Sequence, residues 1–326
     1  MPSLLVTPGL GRLNLRLLLA FFAIYVVWGS TYLAIKVAVE TVPPLATAGA
    51  RHLVAGLILF AWARAWKARL TAAEWRASLV VGVLFFLIGH GTLHWAEQTV
   101  PSGVAALLVA TEPLWIALLM PVPGKSKWSA RRGVGLAAGL IGVGLLVSPE
   151  ALAAGSHQLL GSSAILLGAV SWALGIRYAA TASLPRDPFV RTATTLLCGA
   201  ALLLTTSLAT GEMTRFEPSQ LSSRSLLGLA YLIVFGSVVA FSAYTWLLER
   251  CSPTLVATHT YVNPVIAVLL GWAFAGEPLT PRVLGATALI LAAVVFLKSD
   301  ATERAGAQAQ RPCVEPEERA AARPST

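Results

Sequence analysis

Charged residues are scarce in this sequence of 326 residues. Asp, Glu, Lys and Arg together make up 12% of the chain, whereas 56% of its residues are hydrophobic. An average soluble domain contains about 25% charged residues and needs them to cover its surface. The low charge content therefore excludes an ordinary soluble protein and predicts that a lipid bilayer surrounds most of the chain.

Cysteine is scarce as well, since three cysteines lie far apart and none belongs to a CxxC pair. This spacing gives no sign of a zinc site, and we expect neither a metal nor a cofactor. The net charge of +9 could indicate nucleic-acid binding, but the Lys and Arg residues form short clusters between apolar runs. Such clusters are typical of membrane topology, so no nucleic-acid partner is predicted.

Ten apolar segments are long enough to form helices across a bilayer, which takes about 20 residues. The first could be mistaken for a signal peptide, but it lacks a small-residue cleavage pattern and is kept as a span. The segment 299–326 has almost no bulky apolar residue and is predicted to be a disordered tail. The predicted spans are 16–37, 45–63, 77–95, 102–121, 132–147, 159–179, 189–209, 226–248, 255–275 and 281–298.

The Lys and Arg residues beside these spans predict the orientation of the chain. If the segment 1–15 is cytoplasmic, nineteen of them lie on the cytoplasmic side and four on the opposite side. Because positive charges accumulate on the cytoplasmic side, we expect a multi-pass protein of the inner (plasma) membrane with both termini in the cytoplasm.

The two halves of the sequence resemble each other weakly. A shift of 144 residues aligns Trp28 with Trp172, and a shift of 151 aligns Pro113 with Pro264. The units 16–147 and 159–298 would each hold five helices, and an odd number forces the second unit to enter from the opposite side. The predicted fold is therefore an all-α integral membrane protein with ten transmembrane helices in two inverted five-helix repeats.

Polar residues beside prolines occur half way along two predicted spans, as Glu112-Pro113 and Asn263-Pro264. Proline removes a backbone donor from a helix, and a carboxylate in the bilayer interior normally faces a cavity or a partner. Two broken helices at matching positions would mark a binding site in the middle of the membrane. The alternative is that both prolines only bend helices for packing, with hydrogen bonds between neighbours.

Aromatic and polar side chains extend this hypothesis to a substrate cavity. Trp28 and Tyr32 share one helical face, and His259 shares the face of Asn263. Such side chains suit a cavity for apolar and cationic groups, although packing between helices would also explain them. The residues assigned to the cavity are Trp28, Tyr32, Glu112, Pro113, Trp172, Tyr244, His259, Asn263 and Pro264.

His90, His94 and Glu97 lie on one face of the third span. Interhelical hydrogen bonds, proton handling and metal binding all stay open for them, with His90, His94 and Glu112 the candidates for proton handling. A zinc protease is disfavoured because Gly91 follows His90, which breaks the HExxH motif. Arg51 could pair with an acidic neighbour or lie near the headgroups.

Five short motifs follow one another along the chain: Trp28-Gly29-Ser30-Thr31-Tyr32, Val100-Pro101-Ser102-Gly103, Thr111-Glu112-Pro113-Leu114, Tyr261-Val262-Asn263-Pro264 and Gly276-Glu277-Pro278-Leu279. In this order they resemble the EamA-type drug/metabolite transporter superfamily, in particular its YedA-like bacterial branch. The resemblance implies ten helices, two inverted EamA repeats, cytoplasmic termini and a central cavity lined by both halves. Gly124-Lys125 in the first half departs from Gly276-Glu277 in the second.

These observations predict a secondary transporter that exports small metabolites, such as amino acids, their analogues or drug-like compounds, by alternating access. Proton coupling at Glu112 and an uncoupled facilitator, in which Glu112 binds a cationic cargo, both stay open. A membrane enzyme would need a nucleophile or metal set with convincing spacing, which the sequence lacks. A scaffold would not need polar groups at mid-depth. We therefore expect no enzymatic activity; the partners are a small-molecule substrate and the lipid bilayer.

Overall fold

The computed structural model describes residues 15–67, 69–119, 130–146, 157–251 and 253–305, and within these ranges the chain is helical without strands. We number twelve helices in this part of the chain. They are α1 Leu15–Ala38, α2 Pro44–Trp62, α3 Ala72–Ala96, α4 Ser102–Val109, α5 Glu112–Leu119, α6 Ala130–Leu146, α7 His157–Ala179, α8 Pro188–Ala209, α9 Ser223–Leu248 with its last turn reaching Arg250, α10 Pro253–Val256, α11 His259–Ala275 and α12 Pro281–Ala305.

Among the described residues, seven helical stretches are long and apolar enough to cross a membrane, counting α4 and α5 as one. Three further apolar helices, α6, α11 and α12, are shorter in their apolar part. Each predicted span overlaps one of these stretches. Large apolar side chains such as Leu227 and Phe274, 70% and 71% exposed, point outward, as expected for side chains that meet lipid rather than water.

Two predicted boundaries differ from the structure by five residues or more. Helix α3 begins five residues before the predicted start because Thr71 and Glu74 form a capping box, in which Thr71 Oγ1 accepts from the Glu74 amide. Helix α12 continues to Ala305, so the prediction of a disordered tail is wrong for residues 299–305. The helix already formed by the apolar residues extends through this polar segment; the rest of the predicted tail lies outside the described residues.

The helix contacts repeat between the two halves. The most extensive contacts join α2 to α8 and α6 to α12. Helix α1 packs against α11 and α9, and correspondingly α7 packs against α4, α5 and α3. Matching each span with the span five positions later pairs α1 with α7, α2 with α8, α3 with α9, α4 and α5 with α11, and α6 with α12. Under this matching, the contact of α1 with α9 corresponds to that of α7 with α3, and the other contacts named here also have an observed counterpart.

Three helices contain π-helical segments, at Ala23–Val27 in α1, Gly82–His90 in α3 and Leu232–Val239 in α9. A π-helical segment leaves backbone carbonyls without their α-helical donors, and in each case a facing helix supplies one. Ser171 Oγ donates to Leu84 O at 2.8 Å, and Trp28 Nε1 donates to Gly236 O at 2.9 Å. In α1 the amide nitrogen assigned to Asn263 faces the carbonyls of Ile24 and Tyr25.

The two prolines predicted to break helices behave differently. Helix α4 ends at Val109 and α5 begins at Glu112, so this span is interrupted directly before Glu112-Pro113. Helix α11, in contrast, continues through Pro264 and is preceded by a turn at 257–258. The prediction of breaks at matching positions is therefore wrong for the second half. Pro264 lies in the second turn of α11, where its missing N–H removes one intrahelical hydrogen bond without ending the helix.

Two glutamates of the second half cap helices of the first half. Glu212 accepts from the amides of Leu45 and Ala46 at 3.0 and 3.2 Å, at the start of α2. Glu277 accepts from the amides of Ser102 and Gly103 at 2.5 and 3.0 Å, at the start of α4. The glycine before each glutamate has a positive φ, 68° at Gly211 and 66° at Gly276, which lets the chain turn back toward the capped helix.

We expect Glu277→Ala to lower the stability of the protein, because two amides at the start of α4 lose a charged acceptor. Hydrogen bonds to charged groups contribute about 1.5–3 kcal/mol, and the helix dipole strengthens this cap. The measurement is the apparent Tm of the detergent-solubilised protein. Glu217→Ala removes an exposed loop glutamate and serves as the control. Equal Tm values for the two variants would contradict the capping role.

Candidate functional site

Three aromatic side chains from three helices form the centre of the candidate site. The ring of Trp28 in α1 lies 5.2 Å from Tyr244 in α9 and 5.1 Å from His259 in α11, between ring centroids. Tyr244 and His259 lie 5.8 Å apart with edge-to-face geometry. All three are half-buried. We call Trp28, Tyr244 and His259 the aromatic cluster; it joins a helix of the first half to two helices of the second.

Glu112 supplies a carboxyl group within electrostatic range of this cluster. It is half-buried and interacts electrostatically with Tyr244 and with Tyr32, which lies one turn beyond Trp28 in α1. The interruption before α5 places Glu112 in the first turn of that helix. The positive end of a helix dipole stabilises a carboxylate there. The convergence of Trp28, Tyr32 and Glu112 in one cavity stays a prediction.

Asn263 lies behind the aromatic cluster and joins α11 to α1. It is 9% exposed, and three carbonyl oxygens, of Ile24, Tyr25 and His259, each lie 3.0 Å from one atom of its amide; these acceptors assign that position to the amide nitrogen, whose two hydrogens they share. Because the amide is used in packing, this geometry favours the structural alternative for Asn263. The two helices approach closely beside it, since a side chain built on Gly29 would place its Cβ 2.8 Å from Ile266 Cβ.

Trp172, the counterpart of Trp28 in the second half, lies in a different environment. Its ring stacks on Phe85 at 4.3 Å and on His90 at 5.2 Å. His90 Nδ1 is 2.8 Å from His52 Nε2, so one of these histidines donates to the other. Trp172 therefore belongs with a group of buried histidines rather than with the rings around Trp28.

His94 and Glu97 follow His90 along α3 and are fully buried. A carbonyl oxygen only accepts, so His94 donates through Nδ1 to His90 O at 2.7 Å. In the described part of the chain, His94 Nε2 and both carboxylate oxygens of Glu97 have no hydrogen-bond partner. Within the same residues, no three His, Cys, Asp or Glu side chains are arranged to hold a metal ion.

Arg51, whose position the sequence left open, is buried between helices with 6% of its surface exposed. Its Nε donates to Ser237 Oγ in α9 at 2.8 Å. It also interacts electrostatically with Tyr32 and Glu97. Sequence reasoning could have found it, because Arg51 is the one Lys or Arg that falls inside a predicted span rather than beside its end.

The structure separates the predicted residues into three groups. The first contains the ring contacts of Trp28, Tyr244 and His259, with Glu112 in electrostatic range of Tyr244 and of Tyr32. The second contains Trp172, His90 and His94 in the histidine-rich region. The third contains Asn263 and Pro264 inside α11 and Pro113 in the first turn of α5. Gly236 and Ser237, which orient Trp28 and Arg51, were missed; small residues in an apolar span carry no signal for such contacts.

We expect Gly29→Ala to destabilise the protein, because the added methyl group would meet Ile266 and the carbonyl of Asn263, at 3.2 Å from its oxygen. Overpacking of this kind costs about 1–3 kcal/mol. The control is Gly144→Ala in α6, where nothing lies within 4 Å of the new Cβ. Thermal unfolding in detergent measures both; an unchanged Tm for Gly29→Ala would contradict the close approach of α1 and α11.

Comparison with known proteins agrees with this architecture. The model of the EamA-like transporter family matches the chain twice, at residues 15–148 and 159–299. The uncharacterized inner membrane transporter YedA of Escherichia coli K12 is 37% identical over 85% of this chain and 89% of its own length. Protein PecM of Dickeya dadantii is 28% identical over 85% of this chain and 91% of its own.

A solved crystal structure shares the fold, with a TM-score of 0.58 and 23% identity over 90% of this chain and 99% of that one. The helical architecture, the apolar surface and the two family matches agree with one another. The family model covers most of the chain, and the chain is therefore a protein of the EamA-like transporter family.

Proposed function

We propose that this protein exports small metabolites across the inner membrane by alternating access, with the cargo bound at the aromatic cluster beside Glu112. The observation that carries the proposal is the mutual contact of Trp28, Tyr244 and His259, which come from both halves of the chain. Each of the three rings is half-buried and so keeps part of its surface exposed. Ring faces bind apolar and cationic groups, and Glu112 adds a charge for orientation. We place Tyr32, one turn beyond Trp28, in the same site and leave Trp172, which stacks on Phe85 and His90, outside it.

We further propose that the two EamA units form an inverted repeat of ten transmembrane helices. The mapping of helix contacts between the halves supports it, as do the π-helical segments at corresponding positions in α3 and α9. Five spans in a unit reverse the orientation of the next unit. The aromatic cluster then lies at the interface of the units, where rocking of one against the other exposes it to each side in turn. Asn263, Pro113 and Pro264 hold its walls.

Proton coupling at Glu112 is the mechanism we favour over uncoupled diffusion. A carboxylate within a membrane site binds a proton or a cationic cargo, and competition between the two couples their movements. His90 and His94 offer titratable groups between α3 and α7 for the same purpose. In an uncoupled facilitator, Glu112 would bind cargo in the absence of any gradient.

The first experiment is the accumulation of a labelled metabolite mixture in everted vesicles with and without a proton gradient. We expect gradient-dependent accumulation that falls at least tenfold in Trp28→Ala, because the ring that contacts both Tyr244 and His259 is removed. Trp272→Ala is the matched control, since Trp272 is 55% exposed on the outer surface of α11. Equal loss in both variants, or none in Trp28→Ala, would argue against this site.

Glu112→Gln tests the coupling separately. We expect it to abolish the response to the proton gradient while exchange of labelled for unlabelled cargo continues, because the amide cannot take up a proton. The measurement is accumulation and exchange in the same vesicles. Transport with an unchanged gradient dependence would remove Glu112 from the coupling mechanism, and wild-type transport without gradient dependence would favour the facilitator.

The proposed orientation predicts the behaviour of topology reporters. Green fluorescent protein fused after Thr326 should fluoresce, and alkaline phosphatase at the same position should be inactive, because both termini are expected in the cytoplasm. Phosphatase inserted after Gln220, in the connection between α8 and α9, should be active. The reverse pattern would overturn the orientation without affecting the transport proposal.

A further inference from the structure

Arg51 is a buried cation without a counterion at contact distance. It is 6% exposed, and in the described part of the chain its hydrogen-bond partner is the neutral hydroxyl of Ser237. No carboxylate of those residues forms an ion pair with it. A charge inside a membrane protein normally pairs or faces a binding site, since burying it alone is costly.

The guanidinium of Arg51 lies beside Gly236, a residue that also contacts the aromatic cluster. A Cβ built on Gly236 would lie 3.4 Å from Arg51 Nη2, and the carbonyl of the same Gly236 accepts from Trp28. Tyr32 interacts electrostatically with both Arg51 and Glu112. The guanidinium therefore adjoins, through Gly236, the backbone position that holds the indole of Trp28.

No negatively charged side chain of the described residues lies within ion-pair distance of Arg51, so a bound anion could neutralise it. Its electrostatic neighbours in α2 and α3 are His52, His90 and His94, none of which supplies negative charge. Glu97 lies beyond ion-pair distance and is influenced by Lys36 as well as by Arg51. A monoanion would neutralise Arg51, whereas a dianion would add excess negative charge near Glu97 and Glu112.

We propose that Arg51 binds a carboxylate of the transported compound and so selects cargo that carries one; this rests on the proposed transport function. The planar guanidinium matches a carboxylate through two parallel N–H···O bonds, which a lysine ammonium cannot reproduce. Ser237 holds Nε, which fixes the plane of the guanidinium and leaves its two terminal nitrogens for the ligand. The absence of a side chain at Gly236 lets α9 pack closely against Arg51 and Thr31.

The test compares two labelled mixtures in everted vesicles: amino acids together with aromatic carboxylic acids, and the same compounds as carboxamides. We expect the wild-type protein to accumulate the acids about tenfold or more over the amides. A carboxamide has no negative charge for the Arg51 guanidinium, and a site that leaves a buried polar group unpaired strongly disfavours such an analogue. Arg51→Gln should bring the ratio close to one, and Arg51→Lys should leave an intermediate ratio. Arg186→Gln, an exposed arginine, should behave as wild type.

Folding is checked by size-exclusion chromatography of each variant. If Arg51→Gln is not monodisperse, Arg51→Lys and Ser237→Ala decide, and both must lower the acid-to-amide ratio.

Equal accumulation of acids and amides by the wild type, or an unchanged ratio in the Arg51 variants, overturns this inference while leaving transport intact. A ratio restored to the wild-type value in Arg51→Gln combined with Glu97→Gln would make Arg51 a counterion for Glu97 and would likewise overturn it. No accumulation of either mixture contradicts the proposed function itself, and this inference with it.

Discussion

The need to satisfy backbone polar groups without water governs this structure. In the bilayer interior an unpaired carbonyl or amide costs several kcal/mol, so every irregularity in a helix requires a partner. Here the partners come from the other half of the chain. Asn263 serves carbonyls of α1, Trp28 serves α9 and Glu277 caps α4. The irregular positions are thus also the positions where the two units recognise each other.

This arrangement links packing to the candidate site. Trp28 is held by the carbonyl of Gly236, which is available because α9 is π-helical at that point. The same interruption of regular hydrogen bonding that permits the contact also turns the indole toward Tyr244 and His259. The break between α4 and α5 also affects a side chain of the site. Because α5 begins at Glu112, the positive end of its helix dipole stabilises the carboxylate. Residues that repair the backbone therefore orient the side chains that surround the site.

The sequence was sufficient for features that depend on local hydrophobicity and insufficient for those that depend on distant partners. The spans follow from runs of apolar residues. The grouping of Trp28, Tyr32 and Glu112 in one cavity was predicted because polar groups in the bilayer interior are costly unless they face a cavity or a partner, and it stays a prediction. The caps by Glu212 and Glu277 could not be foreseen, since each lies more than 160 residues from the amides it serves. The prediction of a break at Pro264 was wrong because a proline shows which backbone donor is missing but not whether the helix ends there.

Arg51 and Glu112 show how opposite charges are kept apart within one membrane protein. Both act on Tyr32, yet Arg51 donates to Ser237 instead of pairing with a carboxylate. A pair in direct contact would neutralise both groups and leave little affinity for a charged ligand. The hydroxyl of Ser237 lowers the cost of the Arg51 charge without cancelling it. The remaining cost is offset when a ligand of complementary charge binds, which gives such a site its selectivity.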